Sequence, residues 1–444
     1  MSWPHKPIGN FLTESKIESS APSADRRIRV RLNAEGVEKR PVMAEAKGAT
    51  RYFSRSTGQF IYGKQNLHKG AFGIVPPELN TFESTSDLPA FDVSVDLRPK
   101  WLEYFLKQGD FYKSLVSIAR GAATKRIQPD ALFAVKLPTP AIDEQDTIIQ
   151  RMDDACAEHS VLIGEITHQQ TLLGKLKQAI LQEAIQGKLT ADWRAANPGV
   201  EPASELLQRI QAEKARLIAE KKIRKEKPLP EITPEEIPFE IPDGWEWCRL
   251  GEVIESKPRN GISLKPVDYE TEAKTLKLSA TSSGVFDGSE CKYLDLEVED
   301  ESYLWLKDGD ILIQRANSIE LVGTAAVYRG NDREFIYPDL MMKCRAVFPV
   351  GTDYFHHVLS SRTTRDYFSR KATGSAGNMP KINQGTVTET LVPLPPLAEQ
   401  AAIAERVEAL MATCRELEAE IERSRTHAAD LLQAVLKEAF APAS

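Results

Sequence analysis

The 444-residue chain lacks any apolar run long enough to span a bilayer, and its N-terminus, MSWPHKPIGN, has no basic stretch leading into an apolar one. Neither a membrane helix nor a secretory signal is therefore expected. Its five cysteines (Cys156, Cys248, Cys291, Cys344 and Cys414) lie far apart with no C-x-x-C pair. That speaks against a disulfide framework or a zinc site and fits a reducing cytoplasm. Histidines are few, and the adjacent pair His356-His357 reads as part of a surface helix rather than a metal site. No G-x-x-x-x-G-K-[ST] phosphate loop and no G-x-S-x-G elbow is present, so neither an NTPase nor an α/β-hydrolase is expected. A DNA methyltransferase needs a Gly-rich cofactor loop and an Asn/Asp-Pro-Pro-aromatic tetrapeptide. Val75-Pro76-Pro77 lacks the polar residue that would hold the amino group.

One catalytic pattern does occur. Pro242-Asp243 followed by Glu255-Ser256-Lys257 has the spacing of metal-dependent PD…ExK nucleases, in which the acids hold a divalent ion and the lysine orients water. The first half of the chain keeps Glu14-Ser15-Lys16 without an upstream Pro-Asp, so the triplet follows the fold rather than a metal site. No metal ligand and no catalytic residue is assigned.

What the sequence does contain is a repeat. LPTPAIDEQDTIIQRMDDA begins at Leu137, and LPPLAEQAAIAERVEALM begins at Leu394. Shifted by 255, the stretches 144–185 and 399–440 share 15 identities in 42 positions, among them Gln145/Gln400, Arg151/Arg406 and Leu176/Leu431. A period this long means duplication of a whole domain with its trailing helix, not a solenoid. Each proline cluster stops what precedes it and forces an extended approach to a helix.

Within each helix apolar residues recur at alternating spacings of four and three, the mark of a coiled-coil seam. The first seam runs Ile148, Met152, Leu162, Ile166, Leu173, Leu176 and Ile180, with His159 and Gln169 as tolerated polar positions. The second runs Ile403, Val407, Leu410, Leu417, Ile421, Leu431 and Val435, with Cys414 and Ser424 in register. Such helices make rods of roughly 65 Å, and the two are expected to bury their seams against each other as an antiparallel pair. The globular halves echo one another: Ile8-Gly9-Asn10-Phe11 parallels Leu250-Gly251-Glu252-Val253. Amphipathic stretches at Trp101–Ala119 and Tyr354–Lys371 precede a glycine and the proline exit in each half. Short β-type runs (60–62, 72–75, 311–313, 325–328) complete an α+β reading.

The expected organisation is a globular domain (1–141), a long helix (142–189), a helical and proline-rich connector (190–242), a second globular domain (243–393) and a second long helix (394–444). The connector is read as a helix over Ala203–Lys227, ending in the basic run Lys221–Lys225, then a Pro/Glu-rich strap. The net charge of −7 is uneven: residues 1–140 hold 21 Lys+Arg against 14 Asp+Glu, and residues 228–392 hold 18 against 27.

Taken together, the duplicated proline exit and helix, the segment QAILQEAIQGKLTADWR from Gln178, the strand entry from Pro242 to Gly251, and Gly309-Asp310-Ile311-Leu312-Ile313 followed by Arg315 and Asn317 resemble type I restriction-modification specificity subunits. In the first half, Phe60-Ile61-Tyr62-Gly63 lacks the Gly-Asp lead. The resemblance implies two similar target-recognition domains held apart by two long helices in a pseudo-twofold repeat. It implies double-stranded DNA as ligand, read as a bipartite, asymmetric target by a non-catalytic subunit. Two modification (methyltransferase) subunits carrying S-adenosylmethionine and two restriction (translocase/nuclease) subunits using ATP and Mg would be its partners, in a bacterial or archaeal cytoplasm. The chain itself would hold no cofactor. Rival readings are a coiled-coil scaffold whose ends bind protein and, third, a metal-dependent nuclease.

Base edges are read by Arg, Lys, Asn, Gln, Ser and Thr, and phosphates mainly by Arg and Lys. In the first domain the candidates are Arg27, Arg29 and Arg31 along RRIRVR; Arg51 and Arg55; Lys64, Gln65, Asn66 and Lys69 in a turn; and Lys125 with Arg126. RRIRVR reads equally as an edge strand guarded by charge. In the second domain they are Gln314, Arg315, Asn317 and Ser318 directly after a strand, then Arg259, Asn260, Ser375, Asn378, Lys381 and Asn383.

Overall fold

A computed structural model describes residues 3–42, 50–121, 124–374 and 379–441. The chain divides into two compact units, Met1–Gln169 with Glu420–Ser444, and Gln170–Ala419. Mixed helix and strand fill both.

In the first unit a four-stranded antiparallel sheet has the spatial order Leu12–Ser15, Ala90–Val93, Phe60–Tyr62, Phe72–Ile74. The run Phe60-Ile61-Tyr62 is apolar throughout because both faces of this strand are covered. Phe60 and Tyr62 join the main core, and Ile61 joins Ile28, Val75 and Leu79 on the other side. Tyr62 and Phe91 stack with centroids 5.9 Å apart. Helix Pro99–Lys107 closes the core with Trp101, Leu102, Phe105 and Leu106, a one-sided stripe at helical spacing. The amphipathic stretch expected to run on to Ala119 breaks at Gly109 and Asp110, both in the left-handed region, before a short helix Phe111–Ser114.

The second unit contains an antiparallel sheet in the order Arg259–Asn260, Met341–Cys344, Ile311–Gln314, Ala325–Val327. A three-stranded sheet, Cys291–Leu294, Ala273–Leu276, Phe335–Ile336, lies within the same unit. The counterpart helical stretch is likewise split. Thr352–Ser360 ends at Ser361, whose side chain accepts from the Thr364 N–H and starts Arg362–Lys371. The connector helix spans Ala203–Ala219, not Ala203–Lys227. Lys221 adopts φ 60°, and the N–H groups of Lys221 and Lys222 close onto Ile218 and Leu217 carbonyls, which ends the helix before the basic run.

The repeated Glu-Gln pair now has a physical meaning, the same in each unit. The strand at the head of each half pairs antiparallel with the proline strand: His5 with Pro138, and Trp247 with Pro393. Gln145 Nε2 donates to the Pro140 carbonyl at 3.0 Å, and Gln400 Nε2 to Pro395 at 2.9 Å. Trp3 Nε1 donates to Glu144 at 3.0 Å, and Trp245 Nε1 to Glu399 at 2.8 Å. Trp101 Nε1 donates to the Pro138 carbonyl, as the Tyr354 hydroxyl does to Pro393. These carbonyls of the proline exits thus accept from side-chain donors at matching places in both halves. Gly9 and Gly251 sit where a Cβ would lie 2.8 Å from Phe133 Cβ and 3.0 Å from Thr388 Cβ, which requires glycine at both.

Two long helices, Ile142–Ile185 and Leu397–Ala439, each begin in one unit and finish in the other. In the first unit Ile149 and Met152 share a core with Leu436. In the second, Lys177 pairs with Glu418, Arg406 donates to the Leu189 carbonyl and to Asp192, and Thr190 and Arg194 donate to the buried Glu399. Within the second unit the order is antiparallel, since Lys177 meets Glu418 while Leu189 and Asp192 meet Arg406.

The seam differs from the sequence expectation. Met152, Ile166, Leu173 and Ile180, and Ile403, Val407, Cys414, Ile421 and Ala428, are buried. Leu162, Leu176, Leu410, Leu417 and Leu431 are 40–64 % exposed, and Ile148 and Val435 are half-buried. The buried line repeats mostly every seven residues.

Candidate DNA interface

Each unit places a polar loop after its central strand, and the same backbone bond holds it. In the first, the Ile127 N–H donates to the Lys64 carbonyl at 2.8 Å; in the second, the Ile382 N–H donates to the Arg315 carbonyl at 2.9 Å. Lys64 and Arg315 thus occupy equivalent places, each just beyond a buried strand and clasped by the loop that precedes the proline exit.

In the second unit the site is built from buried supports outward. Gln314 is fully buried; its amide donates to the Leu278 carbonyl, Thr281 Oγ1 and Ser282 Oγ, and its Oε1 accepts from Asn317 Nδ2 at 2.6 Å. This residue therefore holds the loop and does not reach a groove, contrary to the sequence expectation. Asn317 is turned inward by that bond, and its Oδ1 accepts from the Ser318 N–H. The Arg315 N–H donates to the Leu340 carbonyl at 2.8 Å, while its half-buried guanidinium has no partner among the described residues. Lys381, exposed and without an ion pair among those residues, is bridged to Ala316 and Thr373. Asn383 spends its Oδ1 capping helix Gln384–Thr388 through the Thr386 N–H. Arg259 is exposed, its guanidinium 5.0 Å from the centroid of the Tyr303 ring, and Asn260 is half-buried. Ser375 and Asn378 lie outside the described residues.

In the first unit the loop 63–71 closes a hairpin, with the Gly63 N–H donating to Ala71 and buried Leu67 as anchor. Lys64, Gln65, Asn66 and Lys69 have no side-chain partner among the described residues. Between them His68 is held below the ordinary imidazole value by burial first, then by the charges of Lys69 and Lys125. The Ile127–Lys64 backbone bond brings the segment that carries Lys125 to this turn. Arg126 is drawn aside by Asp87 at 3.3 Å.

Other sequence candidates turn out to be structural. Arg27 is buried against Glu83 and lies 3.3 Å from the centroid of the Tyr52 ring. Arg55 is buried and donates to Ser84, Ser15 and Leu88 oxygens; burial pushes its guanidinium down to about 10. Arg29 and Arg31 pair with Glu38 and Glu35 in the hairpin of Ile28–Val30 with Val37–Lys39, the guarded-edge arrangement. Arg51 is exposed, 3.6 Å from Glu18.

The sequence reading missed Arg365, Arg345 and Gln59. Arg365 donates to the Val322 and Glu320 carbonyls and holds the loop 318–324 from behind. Gly309-Asp310 starts the central strand with Gly309 at φ 84°, and buried Asp310 accepts from Arg345 at 2.9 Å. The first unit does have the corresponding lead, as Gly58-Gln59: Gly58 also has φ 84°, and buried Gln59 donates to Asp92 at 2.8 Å. Polarity is swapped between Asp310/Arg345 and Gln59/Asp92, which hid the match.

Glu255 and Lys257 line a common cleft, but Asp243 is not among its lining residues. Glu14 and Lys16 form a surface ion pair at 3.1 Å. Among the described residues no group of three His, Cys, Asp or Glu side chains is placed to hold a metal, and no helix is long and apolar enough to cross a membrane.

Residues 242–424 match the family described as type I restriction modification DNA specificity domain. The chain is 32 % identical over 264 residues to the type I restriction enzyme EcoEI specificity subunit of Escherichia coli, covering 58 % of this chain and 44 % of that protein. It is 30 % identical over 417 residues to the EcoAI specificity subunit of Escherichia coli, covering 82 % of this chain and 67 % of that protein. The chain thus spans between 44 and 67 % of the length of these two relatives. A chain from a solved structure of the type I R-M system shares the fold, with TM-score 0.59 and 15 % identity over 99 % of this chain and 97 % of that one.

Proposed function

The chain belongs to the family of type I restriction enzyme specificity subunits, and from that premise we propose that it reads a bipartite, asymmetric DNA target with the loops around Lys64 and Arg315. The observation that carries this reading is the matched clasp of Ile127 on Lys64 and Ile382 on Arg315. Two unlike polar loops are built on one backbone scheme, so each reads its own half-site and the whole target lacks twofold symmetry.

Residues 1–141 and 243–393 act as the two target-recognition domains, each on its own core. The helices Ile142–Ile185 and Leu397–Ala439 form an antiparallel coiled coil, and the segment 190–242 connects the two halves. The coil sets the distance between half-sites. Arg315, Lys381, Lys64, Lys69 and Lys125 are the side chains assigned to DNA, because they are polar, carry positive charge and have no ion-pair partner among the described residues.

This chain performs no catalysis and carries no cofactor. Two modification subunits bring S-adenosylmethionine and methylate adenines, and two restriction subunits bring ATP and Mg. Gel-shift titration with and without a modification subunit tests the reading. Sequence-selective, salt-dependent binding is expected. Binding of protein partners with no sequence preference for DNA would favour a plain scaffold instead.

A further inference from the structure

The basic run after the connector helix is not a solvated helix face. Lys214, in that helix, donates Nζ to the Gly251 and Ile254 carbonyls, both at 2.8 Å, and burial lowers its pKa. The helix is thereby fastened to the start of the second half. The left-handed turn at Lys221 then sends the chain along the same surface, where Glu226 accepts from the Lys257 N–H at 2.7 Å. The result is an open cleft of about 680 Å³ walled by the connector, the strand entry at Lys257–Arg259 and the turn at Lys307.

The charges in it are unequal in availability. Asp310 is spent on Lys343 and Arg345, and Glu301 leans toward Arg333 at 3.6 Å. Glu226 is spent on a backbone N–H, and burial raises the pKa of Glu255. Arg224, Lys257 and Lys307 are exposed and have no ion pair among the described residues, and Arg259 is backed by the Tyr303 ring. Gln384 also lines the cleft, one residue beyond Asn383 on the segment that clasps Arg315.

We infer that this cleft binds phosphate, and that its ligand is the DNA backbone running past the Arg315 loop, so that the connector itself is part of the DNA interface. The inference rests on the reading of the chain as a DNA-recognition subunit. Phosphate contacts of this kind position the duplex and carry no sequence information. Seven Lys and Arg side chains line the cleft against four acids, which explains how a segment with an acidic balance contacts a polyanion.

The test is the salt dependence of duplex binding by the full chain, with Arg224→Gln/Lys257→Gln as the variant. Both side chains are exposed, so the fold should survive; if it does not, Arg224→Lys/Lys257→Arg keeps the charges and should restore binding. The slope of log affinity against log salt should flatten by roughly 0.9 per lost contact. Cognate and scrambled duplexes should weaken alike, with base preference unchanged. An unchanged slope, or a loss confined to the cognate duplex, overturns the inference. So does ATP competing with DNA on the unsubstituted chain but not on the variant, which would make the cleft a free-nucleotide site. Arg315→Ala, measured in parallel, separates the two ideas: if it leaves base preference untouched while the double variant flattens the slope, the cleft stands and the assigned reading loop falls.

Discussion

Ile382 donates its backbone N–H to the carbonyl of Arg315 at 2.9 Å, and this bond fixes where the guanidinium leaves the protein surface. The arginine stands at the end of a buried strand, on a backbone that cannot shift without breaking a pairing with Leu340 as well. A long flexible side chain reads a base well only when its root is rigid.

Arg315→Ala should relax one base position in the half-site read by the second unit, at a cost of about 1–3 kcal/mol for the preferred base. Lys64→Ala should act on the other half-site alone. Mapping methylated adenines with each variant in complex with modification subunits checks both. An unchanged specificity for Arg315→Ala would exclude a base contact.

Gln314→Leu should destabilise the second unit by about 1–3 kcal/mol, since it strips partners from Leu278, Thr281, Ser282 and Asn317 in a buried place. A melting curve should show a fall of several degrees, with weaker DNA binding because Asn317 and the loop behind Arg315 lose their support. A variant that melts normally would show that the loop is held by other means.

Much of this arrangement was legible in the sequence, and the failures have specific causes. The doubled Glu-Gln pair announced a repeated joint, in which Gln145 and Gln400 each donate to a carbonyl of the proline exit. The Gly58-Gln59 lead was hidden because Gln59/Asp92 carries the same contact as Asp310/Arg345 with the donor and acceptor sides exchanged. Spacing alone could not tell which seam positions face in, so Leu162, Leu176, Leu410, Leu417 and Leu431 were misplaced. Arg27 and Arg55 looked like DNA ligands because a sequence does not show that Glu83 and backbone carbonyls surround them.

His159 lies seven residues after Met152 and seven before Ile166, and its Nε2 is enclosed without a partner among the described residues. His159→Leu should stabilise the first unit by about 1 kcal/mol, because an unsatisfied polar atom is replaced by seam packing. Thermal denaturation checks it; a fall in Tm would mean the imidazole is better accommodated than its surroundings suggest.

Asp192 is held down to about 2, chiefly by its hydrogen bonds from Arg406. A carboxylate depressed in the folded state contributes stability that is present above its unfolded value near pH 4 and lost as pH falls through about 2. Hydrogen exchange in residues 187–194 should accordingly stay slow at pH 5 and quicken in strong acid, and Asp192→Asn should exchange fast at both. Equal exchange in the variant and the parent at pH 5 would show that this pair does not hold the segment.

Whether the long helices set the distance between half-sites is measured by the spacing of methylated half-sites after one heptad is inserted at matching places in both. Seven helical residues add roughly 10 Å, about three base pairs. The same two half-sites separated by a longer gap are expected. Altered bases at an unchanged gap would contradict this.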